Sequence, residues 1–216
     1  MPYYVRPMRK EDIAQVKEID REAFPTQWPP PDYRRELQNL LARLIVVCDE
    51  SKTVTEPEVE ARPEKGISGL ASKVRQLWRR ERFFGNRLPP SDRKYVLGFA
   101  SIWIMADEAH LTNIAVRNQY QRQGIGERLL ISTIDLAAEL KTNFITLEVR
   151  ASNTAAQSLY SKYGFTQVSV RSGYYTDNKE DALIMSTESI ASATFQARFQ
   201  RLKQAHFKNT GETISR

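Results

Sequence analysis

A single cysteine, Cys48, and only two histidines, His110 and His206, stand among the 216 residues. One cysteine excludes an intramolecular disulfide and a cysteine zinc cluster. Two histidines are too few for a histidine-rich metal site, so no metal is expected. Cys48 ends the apolar run Leu44-Ile45-Val46-Val47-Cys48, the setting of a small buried residue. No apolar run reaches the ~18 residues that a membrane-crossing helix needs. The N-terminal Met1-Pro2-Tyr3-Tyr4-Val5-Arg6 lacks the apolar core of a signal peptide. The expectation is a cytoplasmic protein with no transmembrane segment. Also missing are the Gly-x-Ser-x-Gly elbow that a serine hydrolase would place near His110, the Gly-Lys-Ser/Thr of a Walker A loop, and the third glycine of the dinucleotide fingerprint.

What is present fits an ordinary globular chain, 41% hydrophobic and 27% charged, long enough for a full core. The net charge of +6 is unevenly spread. Residues 65–94 hold nine lysines and arginines against the two acids Glu81 and Asp92, which leaves the rest of the chain at −1.

Residues 3–8 read as a strand. Ile13, Val16, Ile19 and Ala23 recur at helical spacing over 10–23. Phe24-Pro25 ends that helix, and Trp28-Pro29-Pro30-Pro31 makes a stiff loop. Asp32 is placed to cap a second helix with Leu37, Leu40 and Leu41 on one face. Residues 43–48 form an apolar strand. The polar stretch 51–66 reads as a linker. Ile67, Leu70, Val74, Leu77 and Trp78 then line a basic amphipathic helix, so 50–92 is an insertion between two early strands. Strands follow at 95–105 and 109–117, a helix at 124–140, and a strand at 144–150 with Ile145, Leu147 and Val149 on one face. A helix over 153–163 ends at Gly164. Strands at 165–173 and 181–187 flank the connection Gly173-Tyr174-Tyr175-Thr176-Asp177-Asn178. Ile190, Phe195, Phe199 and Leu202 suggest a last amphipathic helix. The alternation implies an α/β (α+β) fold with a mixed twisted sheet of about seven strands flanked by helices.

One turn stands out. Gln121-Arg122-Gln123-Gly124-Ile125-Gly126 follows a strand and opens a helix. Glycine removes side chains where a ligand must approach the backbone. The helix start offers unpaired N–H groups and the positive end of the dipole, which suit a pyrophosphate. Arg122 adds a charge. Taken alone, the turn is equally a tight strand–helix corner.

The neighbours of the turn narrow its reading. Asn113-Ile114-Ala115-Val116, the turn itself, Leu147-Glu148-Val149-Arg150-Ala151-Ser152-Asn153, and Leu159-Tyr160 followed by Tyr163-Gly164-Phe165 occur in that order. Together they resemble the GNAT acetyltransferase superfamily. The closer resemblance is to the ribosomal protein S18 alanine N-acetyltransferases. It rests on Glu148-Val149-Arg150-x-Ser152-Asn153, on Arg171-x-x-Tyr174-Tyr175 with Glu180-Asp181-Ala182 and Met185, and on Ala23-Phe24-Pro25 with Trp28 nearby. It covers residues 3–48 and 95–187. It implies one acetyltransferase domain over 1–187, interrupted at 50–92, with a helical C-terminal extension at 188–216.

The resemblance also implies roles. The main chain of Ile114, Ala115 and Val116 pairs with the pantetheine arm of acetyl-CoA. Arg122, Gln123, Gly124, Ile125, Gly126 and Glu127 hold its pyrophosphate, and Asn153 contacts the coenzyme. Glu148 is the general base and Tyr160 the general acid. Phe24, Trp28, Tyr174 and Tyr175 are candidate walls of the amine site. Glu127 departs from the pattern, because an acid beside a pyrophosphate is costly unless its side chain points away.

The chemistry suits these residue types. A chain-terminal amine has a pKa of about 8 and must lose a proton before attacking a thioester. A strand N–H such as that of Val116 can bind the oxyanion. With no cysteine nucleophile implied, transfer is direct. The expected acceptor is a protein N-terminus, that of ribosomal protein S18. The alternatives are a small-molecule amine, an internal lysine, or a non-catalytic module that binds coenzyme A or the ribosome. The basic stretch 65–94 suits a ribosome or RNA surface, a membrane surface through Trp78, Phe83 and Phe84, or a surface helix packed on the domain.

Overall fold

Alternating side chains in the apolar segments produce a sheet with two unlike faces. In the computed structural model, residues 3–26, 31–54 and 93–211 are described. Tyr3–Pro7 (β1) pairs antiparallel with Ala42–Thr53 (β2), and β2 with Lys94–Met105 (β3). β3 pairs antiparallel with Glu108–Val116 (β4). β4 then runs parallel to Phe144–Arg150 (β5). Phe165–Tyr175 (β6) and Glu180–Thr187 (β7) form a hairpin that joins through β7, so the order is β1-β2-β3-β4-β5-β7-β6. This is the mixed seven-stranded sheet that the alternation implies.

The helices are Ile13–Ala23 (α1), the single turn Tyr33–Glu36 (α2), Ile125–Glu139 (α3), Thr154–Lys162 (α4) and Ala193–Thr210 (α5). The larger core lies under α3 and α5. There Leu129, Leu130, Ile134, Phe195 and Phe199 meet Leu97, Leu111, Ile145, Leu147 and Met185. The smaller core lies on the opposite face, where Val16, Ile19 and Tyr33 cover Leu44, Val46, Phe99 and Ala115. Each buried valine, leucine, isoleucine, phenylalanine or methionine among them contributes roughly 1.5–3 kcal/mol. Ile190, Phe195 and Phe199 belong to the larger core, so the C-terminal helix packs into the same body as the sheet.

Two departures from the sequence reading have local causes. The second helix is one turn long. Asp32 caps it as expected, accepting from the Arg34 and Arg35 N–H groups. Asn39 then turns the chain, its carbonyl accepting from Ala42 N–H and its side chain from Leu41 N–H. Leu40 and Leu41 are left 87% and 52% exposed rather than on an apolar helix face. Tyr174 and Tyr175 lie at the end of β6, not in the connection, because the strand continues to Tyr175↔Glu180. The inserted basic helix falls within 55–92, outside the described residues. The ends of the strands that flank it are joined by Val54 N–H to Arg93 O, 2.7 Å. No described helix is long and apolar enough to cross a membrane.

Candidate active site

The site begins where the sheet splits. β4 and β5 stay paired from Glu108↔Phe144 to Leu111↔Leu147 and no further. At that point β4 carries a bulge, since Ser101↔Asn113 is followed by Ile102↔Leu111. An extra residue in one strand bends it. Asn113, Ile114, Ala115 and Val116 therefore keep β3 on one side while β5 leaves on the other. Their free edge suits an extended ligand that can pair with main chain.

The turn after β4 points at the same split. Arg122 and Gly124 both have positive φ, 61° and 84°, so Gly124 opens α3 from the left-handed region. A Cβ on Gly124 would also sit 3.1 Å from His206 Cε1. Gly126 is different. Its Cβ would meet nothing closer than Val116 Cγ2 at 3.8 Å, an ordinary contact. The fold itself does not require glycine at Gly126, whereas a pyrophosphate resting on the helix start does. Ile125 is buried, while Arg122 and Gln123 are exposed and Gln123 Nε2 donates to Gln119 O. Asn153 caps α4, its side chain accepting from Ala156 N–H.

Glu127, in the first turn of α3, is engaged by the neighbouring helices. Its Oε1 accepts from Tyr163 Oη at 2.6 Å and from Lys162 Nζ, and Oε2 lies 3.5 Å from His206 Nδ1. Burial pushes its pKa up, but the hydrogen bonds from His206, Lys162 and Tyr163 outweigh that and bring it down to about 2. The carboxylate is thus held by Lys162 of α4, by Tyr163 just after it and by His206 of α5. One acid ties three helices together.

On the sheet face opposite the larger core, Glu148 is held from two sides. Its Oε2 lies 2.9 Å from His110 Nε2, and its Oε1 accepts from Arg171 Nη1 at 2.8 Å. His110 Nδ1 is 2.8 Å from Thr146 Oγ1, which in turn donates to Glu108 Oε1. The hydrogen bond from His110 lowers the Glu148 pKa, with Arg171 assisting against partial burial. Glu148 is therefore an ionised carboxylate at neutral pH, able to accept a proton directly or through a water.

Tyr160 on α4 is buried beside Phe165, with ring centroids 5.7 Å apart. Burial raises its pKa, and Tyr175 nearby adds to the rise. Its phenol therefore keeps its proton at neutral pH, as a proton donor must. Tyr175 is packed against Tyr174 at 5.2 Å and lies under the Arg150 guanidinium at 3.8 Å. Burial raises its pKa to about 12. Arg150 is anchored by Asp177 and Glu180. Thr26 Oγ1 donates to Asp177 Oδ2 at 2.8 Å, which ties the loop after α1 to the β6–β7 turn. Phe24 caps α1 and packs against the smaller core. Trp28 lies outside the described residues.

The structure thus brings Glu148, Tyr160, Tyr175 and the split strand to one region. It adds His110, Arg171 and the Thr26–Asp177 strap, which the sequence reading had not assigned. The signal for His110 was its place four residues before Ile114 on β4, usable only once the parallel pairing His110↔Thr146 is known. Among the described residues, no cluster of three or more His, Cys, Asp and Glu suits a metal.

This geometry agrees with a family match. The model of the acetyltransferase (GNAT) family matches residues 13–165. The chain belongs to that family. It is an acetyltransferase with acetyl-CoA as its co-substrate. A Bacillus subtilis (strain 168) protein, provisionally named as a [ribosomal protein bS18]-alanine N-acetyltransferase, is 32% identical over 182 residues, covering 84% of this chain and 92% of its own. The Escherichia coli (strain K12) [ribosomal protein bS18]-alanine N-acetyltransferase is 43% identical over 108 residues, 49% of this chain and 72% of its own. The crystal structure of the ribosomal-protein-S18-alanine N-acetyltransferase from Escherichia coli aligns with a TM-score of 0.62 at 26% identity, over 88% of this chain and 97% of that one.

Proposed function

We propose that this acetyltransferase modifies a protein N-terminus, with the N-terminal alanine of ribosomal protein S18 as its acceptor. The observation that carries the reading is the placement of Glu148. It is an ionised carboxylate clamped by His110 and Arg171, beside the split between β4 and β5. The names of the bacterial relatives support the choice of acceptor.

In this reading the incoming ammonium loses its proton to Glu148, directly or through one water. The free amine attacks the thioester carbonyl, and the Val116 N–H steadies the oxyanion. The C–S bond breaks, Tyr160 protonates the leaving thiolate, and the surplus proton on the new amide nitrogen passes back to the tyrosinate, which restores the phenol. Gly124, Ile125 and Gly126 present the helix start to the pyrophosphate, with Arg122 beside it. Ile114, Ala115 and Val116 pair with the pantetheine arm. Asn153 sits at the α4 N-terminus, within the coenzyme site. Tyr174, Tyr175 and Phe24 border the acceptor amine, and the strap from Thr26 to Asp177 closes one end of its site.

The test is a mass-read screen with acetyl-CoA. A peptide beginning with the N-terminal sequence of ribosomal protein S18 is expected to gain one acetyl group. Transfer to a small polyamine in preference to that peptide would reject the assignment.

A further inference from the structure

The sheet face that carries Glu148 does not end there. On the β2–β4 side it is covered by α1 and α2. Over β5, β7 and β6 no described helix covers it, because α3 and α5 pack on the other face. One end of the open region is closed by the hydrogen bond from Thr26 to Asp177 and the ion pairs of Arg150. The other end runs along β5 from Glu148 through Thr146 to Phe144, residues that share one face.

At that open end apolar side chains flank Glu108, which pairs with Met105 on one side and Phe144 on the other. Trp103 pairs directly with His110, and Met105 with Glu108, so both lie on the same face as the His110–Glu148 pair. Trp103 is 37% and Met105 43% exposed. Phe144, opposite Glu108, is half-buried and belongs to neither core. Leu41, exposed, lies alongside, its carbonyl accepting from Ile104 N–H. Exposed aromatic and sulfur side chains gathered at one corner mark a binding surface more often than scattered ones do. The basic insertion leaves the sheet at the Thr53/Lys94 end of β2 and β3, the opposite end from this corner.

We propose that Trp103, Met105 and Phe144 form a specificity shelf for an apolar side chain of the acceptor polypeptide, a few residues after the acetylated amine. This rests on the acceptor reading above. The reach fits. With its amine at Glu148 and the strap closing the far end, an extended acceptor leaves along β5. At ~3.3 Å per residue it covers the four-residue span back to Phe144 within about four residues. The third to fifth residues of the acceptor therefore pass over the shelf. An internal lysine segment would have to cross the strap, whereas a chain terminus needs only the open end.

The experiment compares kcat/KM for three free-amine peptides on the wild type and on the Trp103→Ser/Met105→Ser double variant. Two are otherwise identical hexapeptides, with either phenylalanine or serine at positions three to five. The third is a dipeptide amide too short to reach the shelf. Burying one aromatic side chain predicts that the wild type prefers the phenylalanine peptide by about 10-fold, chiefly through KM. The double variant is expected to lose that preference and to keep wild-type turnover of the dipeptide. Equal kcat/KM for both hexapeptides on the wild type would overturn the shelf while leaving the acceptor reading intact. An unchanged preference in the variant would do the same. Failure of the wild type to acetylate any of the three would overturn the acceptor reading, and the shelf with it. Circular dichroism of the variant separates a lost shelf from a lost fold. A Trp103→Phe variant, which keeps an apolar surface, is expected to retain most of the preference.

Discussion

The proposed coenzyme side and the proposed acceptor side of this site are built from different materials. The coenzyme side is backbone: a strand edge freed by a bulge, and a helix start reached through positive-φ residues. Behind it, Glu127 binds α3 to α4 and α5. The proposed acceptor side is made of side chains that meet across strands, His110 with Glu148 and Arg171 with Glu148, on a face that the described helices leave open. Geometry imposed by the main chain serves a co-substrate that never changes. Side chains on an open face can be varied to suit different amines without disturbing the pyrophosphate cradle.

This division can be broken or sharpened by substitutions taken in order of expected effect. Glu148→Gln should lower kcat by roughly 10²–10⁴, the usual range for a lost general base, while isothermal titration finds acetyl-CoA affinity unchanged. A fall in affinity would show that the two sides are not separable. Tyr160→Phe should cost at least about 10² in kcat on the same reasoning, with little change in the peptide KM, read from steady-state rates.

Glu127→Gln acts on the coenzyme side through stability. The folded pKa of about 2 lies below the ordinary carboxylate value. Its contribution is therefore complete above about pH 4.5 and is lost as pH falls toward 2. The variant should be less stable by on the order of 2 kcal/mol at pH 7, or about 4–8 °C in Tm. That gap should narrow in melts below pH 4. His110→Ala should reduce kcat by about 10-fold, because it removes an orienting partner and not the base. It should leave Tm within about 2 °C of the wild type.

The smallest pair is the most discriminating. Gly126→Ala should weaken acetyl-CoA binding several-fold with no loss of Tm, since its Cβ meets only an ordinary contact at 3.8 Å. Gly124→Ala should lower Tm, because its φ of 84° strains any residue with a Cβ and the His206 ring at 3.1 Å would have to shift.

The same division explains what could be read from the residues. Backbone demands write themselves as glycine, so the positive-φ start of α3 was legible at Gly124, and Gly126 beside it pointed to the proposed coenzyme turn. Alternation in Ile145, Leu147 and Val149 likewise placed Glu148 on the opposite face. Tyr160 was legible only through resemblance, since an aromatic on an amphipathic helix is ordinary core. His110 was illegible because its partner lies 38 residues away and meets it only through the parallel register of β4 and β5. The direction of Glu127 depended on His206, from a tail that sequence alone left as a separate extension. The spacing of Leu37, Leu40 and Leu41 misled for a local reason. Asn39 accepts from the Leu41 and Ala42 N–H groups in a turn, which helical periodicity does not register.

The central claim is that the acceptor side receives a chain-terminal amine. It is tested most directly with one peptide in two forms, incubated with acetyl-CoA and read by fragmentation mass spectrometry. The first form has a free N-terminus and no lysine, and the second has a blocked N-terminus and one internal lysine. The account predicts a single acetyl group on the α-amine of the first and none on the second. Acetylation of the lysine in the blocked form, with the free form left untouched, would contradict it.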